Sequence, residues 1–175
     1  DARSVAESQA ALAWTQFWLG KGLRTDLLDG ARRFSTWSWF APYEARPGVV
    51  GSLLLGWADQ FAEARALLEA EDLRLNELGQ DRPRALVRFT LAELECRAGR
   101  FDVAAEHAVE GLCVAKLAGD EFYRSLLGYV RGFIAAHRGE LDVARAAANE
   151  ALTVGMSTGS AVTVWFANTV LGFVA

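Results

Sequence analysis

The stretch PRALVRFTLAELECRAGRFDVAAEHAVEGLCVAKLAG, residues 83–119, reads as two amphipathic helices joined at Ala98-Gly99-Arg100. Glycine belongs at such a junction because a helix commonly ends on a left-handed residue, a conformation that a Cβ disfavours. Forty residues further on the arrangement returns around Arg138-Gly139-Glu140. Phe61, Phe101 and Leu141 are evenly spaced, and each opens a stretch closed by Gly79, Gly119 or Gly159. Between those landmarks Ala64, Ala104 and Ala144 align, as do Leu68, Ala108 and Ala148, and then Leu73, Cys113 and Thr153. A repeat of this length marks stacked helical hairpins. One hairpin cannot bury both of its faces, whereas a stack can.

Outward from this stretch, the periodicity predicts helices near residues 4–19, 25–38, 49–57, 60–78, 84–98, 101–118, 121–137, 141–156 and 161–174. The expected fold is all-α: a right-handed α-solenoid of antiparallel hairpins, a tetratricopeptide-like superhelix with repeats of about 40 residues. Each repeat reads as helix A, a tight turn, helix B and a looser polar connection. Residues 1–47 form an irregular amino-terminal hairpin and residues 48–175 the regular repeats of the same domain. Prolines at Pro42 and Pro47 separate the two parts, because a residue before proline is driven away from helix. Small side chains recur where helices must approach, at Ala92, Gly132 and Gly172 and at Gly56, Cys96 and Ala136. Larger ones form apolar columns, Leu86, Leu126 and Phe166 in one, Leu54, Leu94, Ile134 and Val174 in another. The last helix lacks a following partner, so Phe166, Phe173 and Val174 are expected to leave an apolar face for self-association.

The composition excludes several classes. With 52% hydrophobic and 23% charged residues in 175, the chain is that of a folded globular protein rather than a disordered one. A net charge of −4 gives no cationic field to hold a polyphosphate, so this segment is not expected to bind nucleic acid. Residues 151–175 carry no charge, which raises the question of a membrane span. Thr158-Gly159-Ser160 falls at a turn position of the repeat, however, and the run reads as helix, turn, helix with no membrane role. Cys96 and Cys113 are too few for a disulfide framework, pointing to a reducing, cytoplasmic setting. The absence of an initiator Met or a leader at Asp1 reads as a piece of a longer protein.

Three stretches, WADQFAEARALL (residues 57–68), LAELECRAGRF (91–101) and RGELDVAR (138–145), resemble the tetratricopeptide-like region of large LuxR-family transcriptional regulators. The resemblance covers roughly residues 45–175. In that family an ATPase module of the STAND type precedes the helical repeats, and a helix-turn-helix DNA-binding domain follows them. The resemblance therefore implies a non-enzymatic sensor segment that receives a small-molecule inducer or a partner protein, with DNA binding left to a separate domain. The alternative is a general scaffold of the same architecture that assembles proteins and has no effector. Because the shared motifs are packing motifs, the resemblance carries over no specific residue.

No catalytic, cofactor or metal site is expected. His137 closes a helix, where a cation is mildly favourable, and His107 has no nucleophile or acidic pair at a catalytic spacing. Cys96 and Cys113 read as small, largely buried side chains. Glu93 and Glu95, two apart on a helix, point to different sides. Gly20-Lys21-Gly22 lacks the spacing and preceding strand of a phosphate loop. Arg82, Arg84 and Arg88 read as a solvated face offset by nearby acids. The remaining feature is aromatic: five of the six tryptophans lie within the first 57 residues. Trp37, Trp39, Phe40, Tyr43 and Trp57 are the candidate ligand or partner site, weighed against ordinary packing of bulky rings at an irregular junction.

Overall fold

From Asp59 onward the backbone reverses at every twentieth residue in the same way. Asp59, Gly79, Gly99, Gly119, Gly139 and Gly159 all take a left-handed φ, between 60° and 76°. At each of them the next residue's N–H donates back to a carbonyl five residues earlier: Gln60 to Leu55, Gln80 to Leu75, Arg100 to Glu95, Asp120 to Ala115, Glu140 to Ala135 and Ser160 to Gly155, over 2.8–2.9 Å. This bond, with a second from the left-handed residue itself, satisfies carbonyls that a helix end otherwise leaves bare.

The computed structural model describes residues 2–32 and 47–175. Its helices are α1 (Ala2–Trp18), α2 (Thr25–Arg32), α3 (Pro47–Trp57), α4 (Phe61–Glu77), α5 (Asp81–Arg97), α6 (Phe101–Leu117), α7 (Glu121–His137), α8 (Leu141–Thr158) and α9 (Ala161–Phe173). No strand occurs among the described residues. The fold is an all-α solenoid of consecutive antiparallel hairpins, as the repeat predicts. The segment expected to extend α2 to residue 38 lies beyond Arg32, outside the described residues. One expectation needs correction. The connections between repeats at Gly79, Gly119 and Gly159 are not looser than those within repeats at Gly99 and Gly139, because all of them use the same hydrogen-bonded reversal.

The chain divides into two units, with the boundary inside α4 between Glu71 and Asp72. In the first, α1 packs on α2 and α3, and α2 on α3. Ala6, Ala10 and Ala13 fall on one face of α1 and are buried with Leu28, Val50 and Leu54. Small side chains on α1 let the helices close up, and the half-buried Trp14, Phe17 and Trp57 pack around the resulting core.

In the second unit each of α5 to α8 packs on its successor, and α7 also touches both α5 and α9. By contrast, α6 and α8 barely meet. Helices α5, α7 and α9 therefore form the tighter layer of this unit, and α6 and α8 the more open one. Their separation is held by small residues. Ala104, Ala108, Ala144 and Ala148 are fully buried. A Cβ at Gly111 would lie 2.7 Å from Leu127 Cδ2 and 3.0 Å from Arg88 Cβ, and one at Gly132 would lie 3.3 Å from the Ala144 carbonyl. Leu94, Ile134 and Val174 are buried in their shared column, as are Leu86 and Leu126 in theirs.

Three further expectations are corrected. The column of Leu73, Cys113 and Thr153 is exposed rather than core, because the inward face of α6 runs through Ala104, Ala108, Gly111 and Ala115, and Cys113 lies off that line. Gly172 makes no close approach, since a Cβ there would meet nothing within 4 Å. Val174 is buried and Phe166 half-buried, so the exposed apolar side chains of α9 are Val162, Trp165 and Phe173. The uncharged run from residue 151 resolves into the end of α8, the Gly159 reversal and α9, whose first turn is capped by Ser160 accepting from the Thr163 N–H. Among the described residues no helix is long and apolar enough to cross a membrane.

Gly99 and Gly128 both have open space where a Cβ would go, but only Gly99 has a positive φ. Gly99→Ala is therefore expected to destabilise the chain by about 1 kcal/mol, and Gly128→Ala to stabilise it by roughly 0.5–1 kcal/mol as a helix-interior glycine. Urea unfolding of both variants against the parent checks the pair.

Candidate functional site

Of the five residues expected to form an amino-terminal aromatic site, Trp37, Trp39, Phe40 and Tyr43 lie outside the described residues. Trp57 is described. Its ring lies 5.0 Å from Trp14, 5.3 Å from Trp18 and 6.1 Å from Phe17, in tilted and edge-on geometries. These are the separations of packed rings. Trp57 closes the α1–α3 core of the first unit, while Trp18 keeps 64% of its surface exposed.

A second aromatic group, not singled out by sequence reading, runs over α5, α7 and α9 of the second unit, with Phe101 at the start of α6 joining one end. Phe101 stacks on His137 at 4.9 Å, and His137 meets Phe133 at 4.5 Å and Phe173 at 5.0 Å. From Phe133 the path continues to Tyr129 at 6.1 Å, to Phe166 at 4.4 Å beyond it, and to Phe89 at 6.0 Å. Trp165 flanks Phe166 at 4.9 Å. The track is graded in burial: Phe89 and Tyr129 are buried, Phe133 and Phe166 half-buried, and His137, Trp165 and Phe173 exposed. The repeat register contained its signal. Glu93, Phe133 and Phe173 share one 40-residue column, Arg97 and His137 a second, and Phe89 and Tyr129 a third.

Glu93 is the acidic member of this surface. Part of its side chain stays at the surface, yet the desolvation of its carboxyl group pushes its pKa up to about 7, with the positive charge of Arg97 opposing that rise. The charge of Glu93 in turn helps to raise the thiol of Cys96 and the phenol of Tyr129. Burial is the larger cause in both, and takes Cys96 to about 12, leaving it a protonated, unreactive thiol. Glu95 points away, fully buried, and pairs with Arg100.

The other charged candidates are structural. Asp72, nearly buried, accepts from Arg84 Nε at 3.0 Å and from Arg88 Nε and Nη2 at 2.9 and 2.6 Å. Arg88 also pairs with Glu110 and donates to His107 Nδ1 at 3.0 Å. Because a guanidinium can only donate, Nδ1 is the acceptor there, and His107 serves as a strut between α5 and α6. Arg82 reaches Asp120 at 2.7 Å, and the other carboxylate oxygen of Asp120 caps α7 by accepting from the Tyr123 N–H. The solvated face expected of the three arginines is thus corrected: Arg82 stays exposed, but Arg84 and Arg88 are largely buried because Asp72 draws them inward. A shallow cleft between α6, α7 and α8, lined by Glu121, Arg124, Arg131 and Glu150, has a volume of about 50 Å³, little more than room for ordered water. Among the described residues no group of three or more His, Cys, Asp and Glu side chains is arranged to hold a metal.

Comparison with protein-family models, with curated proteins and with solved structures gives no match.

Two outcomes test this account. Asp72→Ala takes the shared carboxylate from Arg84 and leaves Arg88 with Glu110 and His107 in a largely desolvated setting, and is expected to cost about 1–3 kcal/mol in urea unfolding. Glu93 binds its proton more tightly folded than unfolded, so its ionisation withdraws stability as pH rises from about 4.5 through about 7. Glu93→Gln is accordingly expected to be more stable than the parent at pH 8, by on the order of 1–3 kcal/mol, with the gap closing towards pH 4.5. Urea midpoints at pH 5 and pH 8 measure it.

Proposed function

We propose that this chain is a non-enzymatic binding segment, the sensor region of a LuxR-type transcriptional regulator, and that it receives a small-molecule inducer or a partner protein on the α5–α7–α9 layer. The observation that carries this reading is the aromatic track. It lies on the layer whose helices pack closest, it occupies equivalent register positions in successive repeats, and it grades from buried Tyr129 to exposed Phe173. Rings that are packed on one side and open on the other offer apolar area at small entropic cost. The resemblance of residues 57–68, 91–101 and 138–145 to the regulator family supports the same assignment.

The mechanism follows from the stacking. A ligand bridging α7 and α9 favours one relative setting of neighbouring hairpins, and so shifts the population of stack conformations towards it. Effector modules joined to the stack would read that shift.

Amide NMR of the labelled chain, titrated with a set of small uncharged aromatic fragments such as benzyl alcohol, tests the binding surface. Shift changes are expected to gather on α5, α7 and α9, and Phe133→Ala with Phe173→Ala to weaken them at least tenfold while the melting temperature stays within a few degrees. Responses scattered over the chain, or unaffected by the double change, would sink this surface. The adjoining reading frame separates regulator from scaffold: an upstream Walker A loop with a downstream helix-turn-helix supports the former, and their absence the latter.

A further inference from the structure

Two positions of α9 fit one another. Trp165 stands out from the helix with 64% of its surface exposed, and the ring of Phe166 braces it edge-on at 4.9 Å. Gly172 has nothing within 4 Å of where a Cβ would lie. Seven residues on from Trp165, it points in nearly the same direction, about 10 Å further along the axis. The two are a knob and a hole on one exposed face, which Val162 and Phe173 widen. The apolar face expected at this end of the chain is thus built from Val162, Trp165, Gly172 and Phe173 rather than from Phe166 and Val174. The same register in α7 shows what such a hole takes. Gly132 lies forty residues before Gly172, and the carbonyl of Ala144 and the Cβ of Ala147, both on α8, come within 3.3 Å of its Cβ position. A glycine in this column is a place where another helix comes close.

We infer that α9 pairs antiparallel with α9 of a second copy of this chain, about a two-fold axis passing between Asn168 and Thr169. In a two-fold contact, residue i of one copy faces residue j of the other while j faces i. The midpoint between positions 165 and 172 falls between Asn168 and Thr169, so Trp165 of each copy enters the hole at Gly172 of the other. Asn168 then meets Thr169 across the axis, two polar side chains able to hydrogen-bond. Charge favours a second copy as the occupant. A two-fold axis sets each nearby charge against its own image, and residues 151–175 carry none. The net charge of −4 comes from residues outside this run, and salt at 0.1 M screens it beyond about 10 Å. One pair of 13-residue helices is a small interface, below the roughly 1,200 Å² of a stable one, so the dimer is transient and its energy sits in the two indoles. Pairing of this kind does not require the proposed ligand surface, which α9 adjoins at Phe166 and Phe173.

Sedimentation equilibrium of the full chain, from about 5 µM to about 500 µM, tests the pairing. The parent is expected to move from monomer towards dimer across that range. Gly172→Leu fills the hole. Because a side chain there meets nothing within its own chain, and the position is ordinary helix, the monomer keeps its fold. This variant is expected to weaken association by about tenfold, and Trp165→Ala, which removes the knob, by a similar factor. The double variant Trp165→Ala with Gly172→Leu sets a new knob opposite a new hole, and is expected to regain about fivefold over either single change. Thermal melts keep folding apart from pairing, and Gly172→Leu decides by itself where Trp165→Ala melts early. A parent that stays monomeric throughout, single variants that pair as well as the parent, or a double variant that regains nothing would overturn the antiparallel dimer. Growth beyond dimers would overturn it as well, since a two-fold contact closes on itself.

Discussion

The reversal of the chain at each helix end is the constraint on which this structure depends. A helix leaves its last carbonyls without partners, and here the left-handed residues at twenty-residue intervals return two N–H groups to them. Since each reversal has the same geometry, each helix leaves its predecessor in much the same way. Within the second unit, the stacking of α5 to α9 builds on that one local bond pattern. Asp59 shows that the geometry matters more than the residue: it adopts the left-handed φ where later turns use glycine, and the Gln60-to-Leu55 bond forms regardless.

Close approach then decides which helices become neighbours. In the second unit the alanines of α6 and α8 and the bare faces of Gly111 and Gly132 bring successive helices together. Packed this way, α7 reaches past its sequence neighbours to touch α5 and α9. Side chains that are forty residues apart in sequence become adjacent in one layer. The aromatic track is a consequence of that adjacency: Phe133 meets Phe173 because their helices share the tighter layer, not because either belongs to a recognisable motif. Charge follows the same logic. Asp72 holds Arg84 and Arg88, and Arg88 holds His107 and Glu110, so residues that read in sequence as part of a solvated face serve as a clamp between α4, α5 and α6.

Glu93 departs from this economy of pairing. Its neighbour Glu95 is buried and paired with Arg100, while Glu93 is desolvated, with the charge of Arg97 opposing the rise of its pKa. A folded chain gains nothing from such a carboxyl by itself, since its ionisation opposes folding.

Helix positions, the turn residues and the all-α solenoid were written in the sequence, because helix periodicity and the need for a residue tolerant of positive φ act locally and repeat every few residues. The burial of Ala64, Ala104 and Ala144 was legible for the same reason. The exposure of Cys113, the isolation of Gly172 and the burial of Val174 were not, since a shared column says that positions are equivalent without saying which way they face. The aromatic track was half legible: its columns could be lined up from residues alone, but their neighbours could not. Only the tertiary structure decided that α5, α7 and α9 share a layer, for that depends on how closely the helices between them are allowed to pack, and close packing is settled by contacts between residues far apart along the chain.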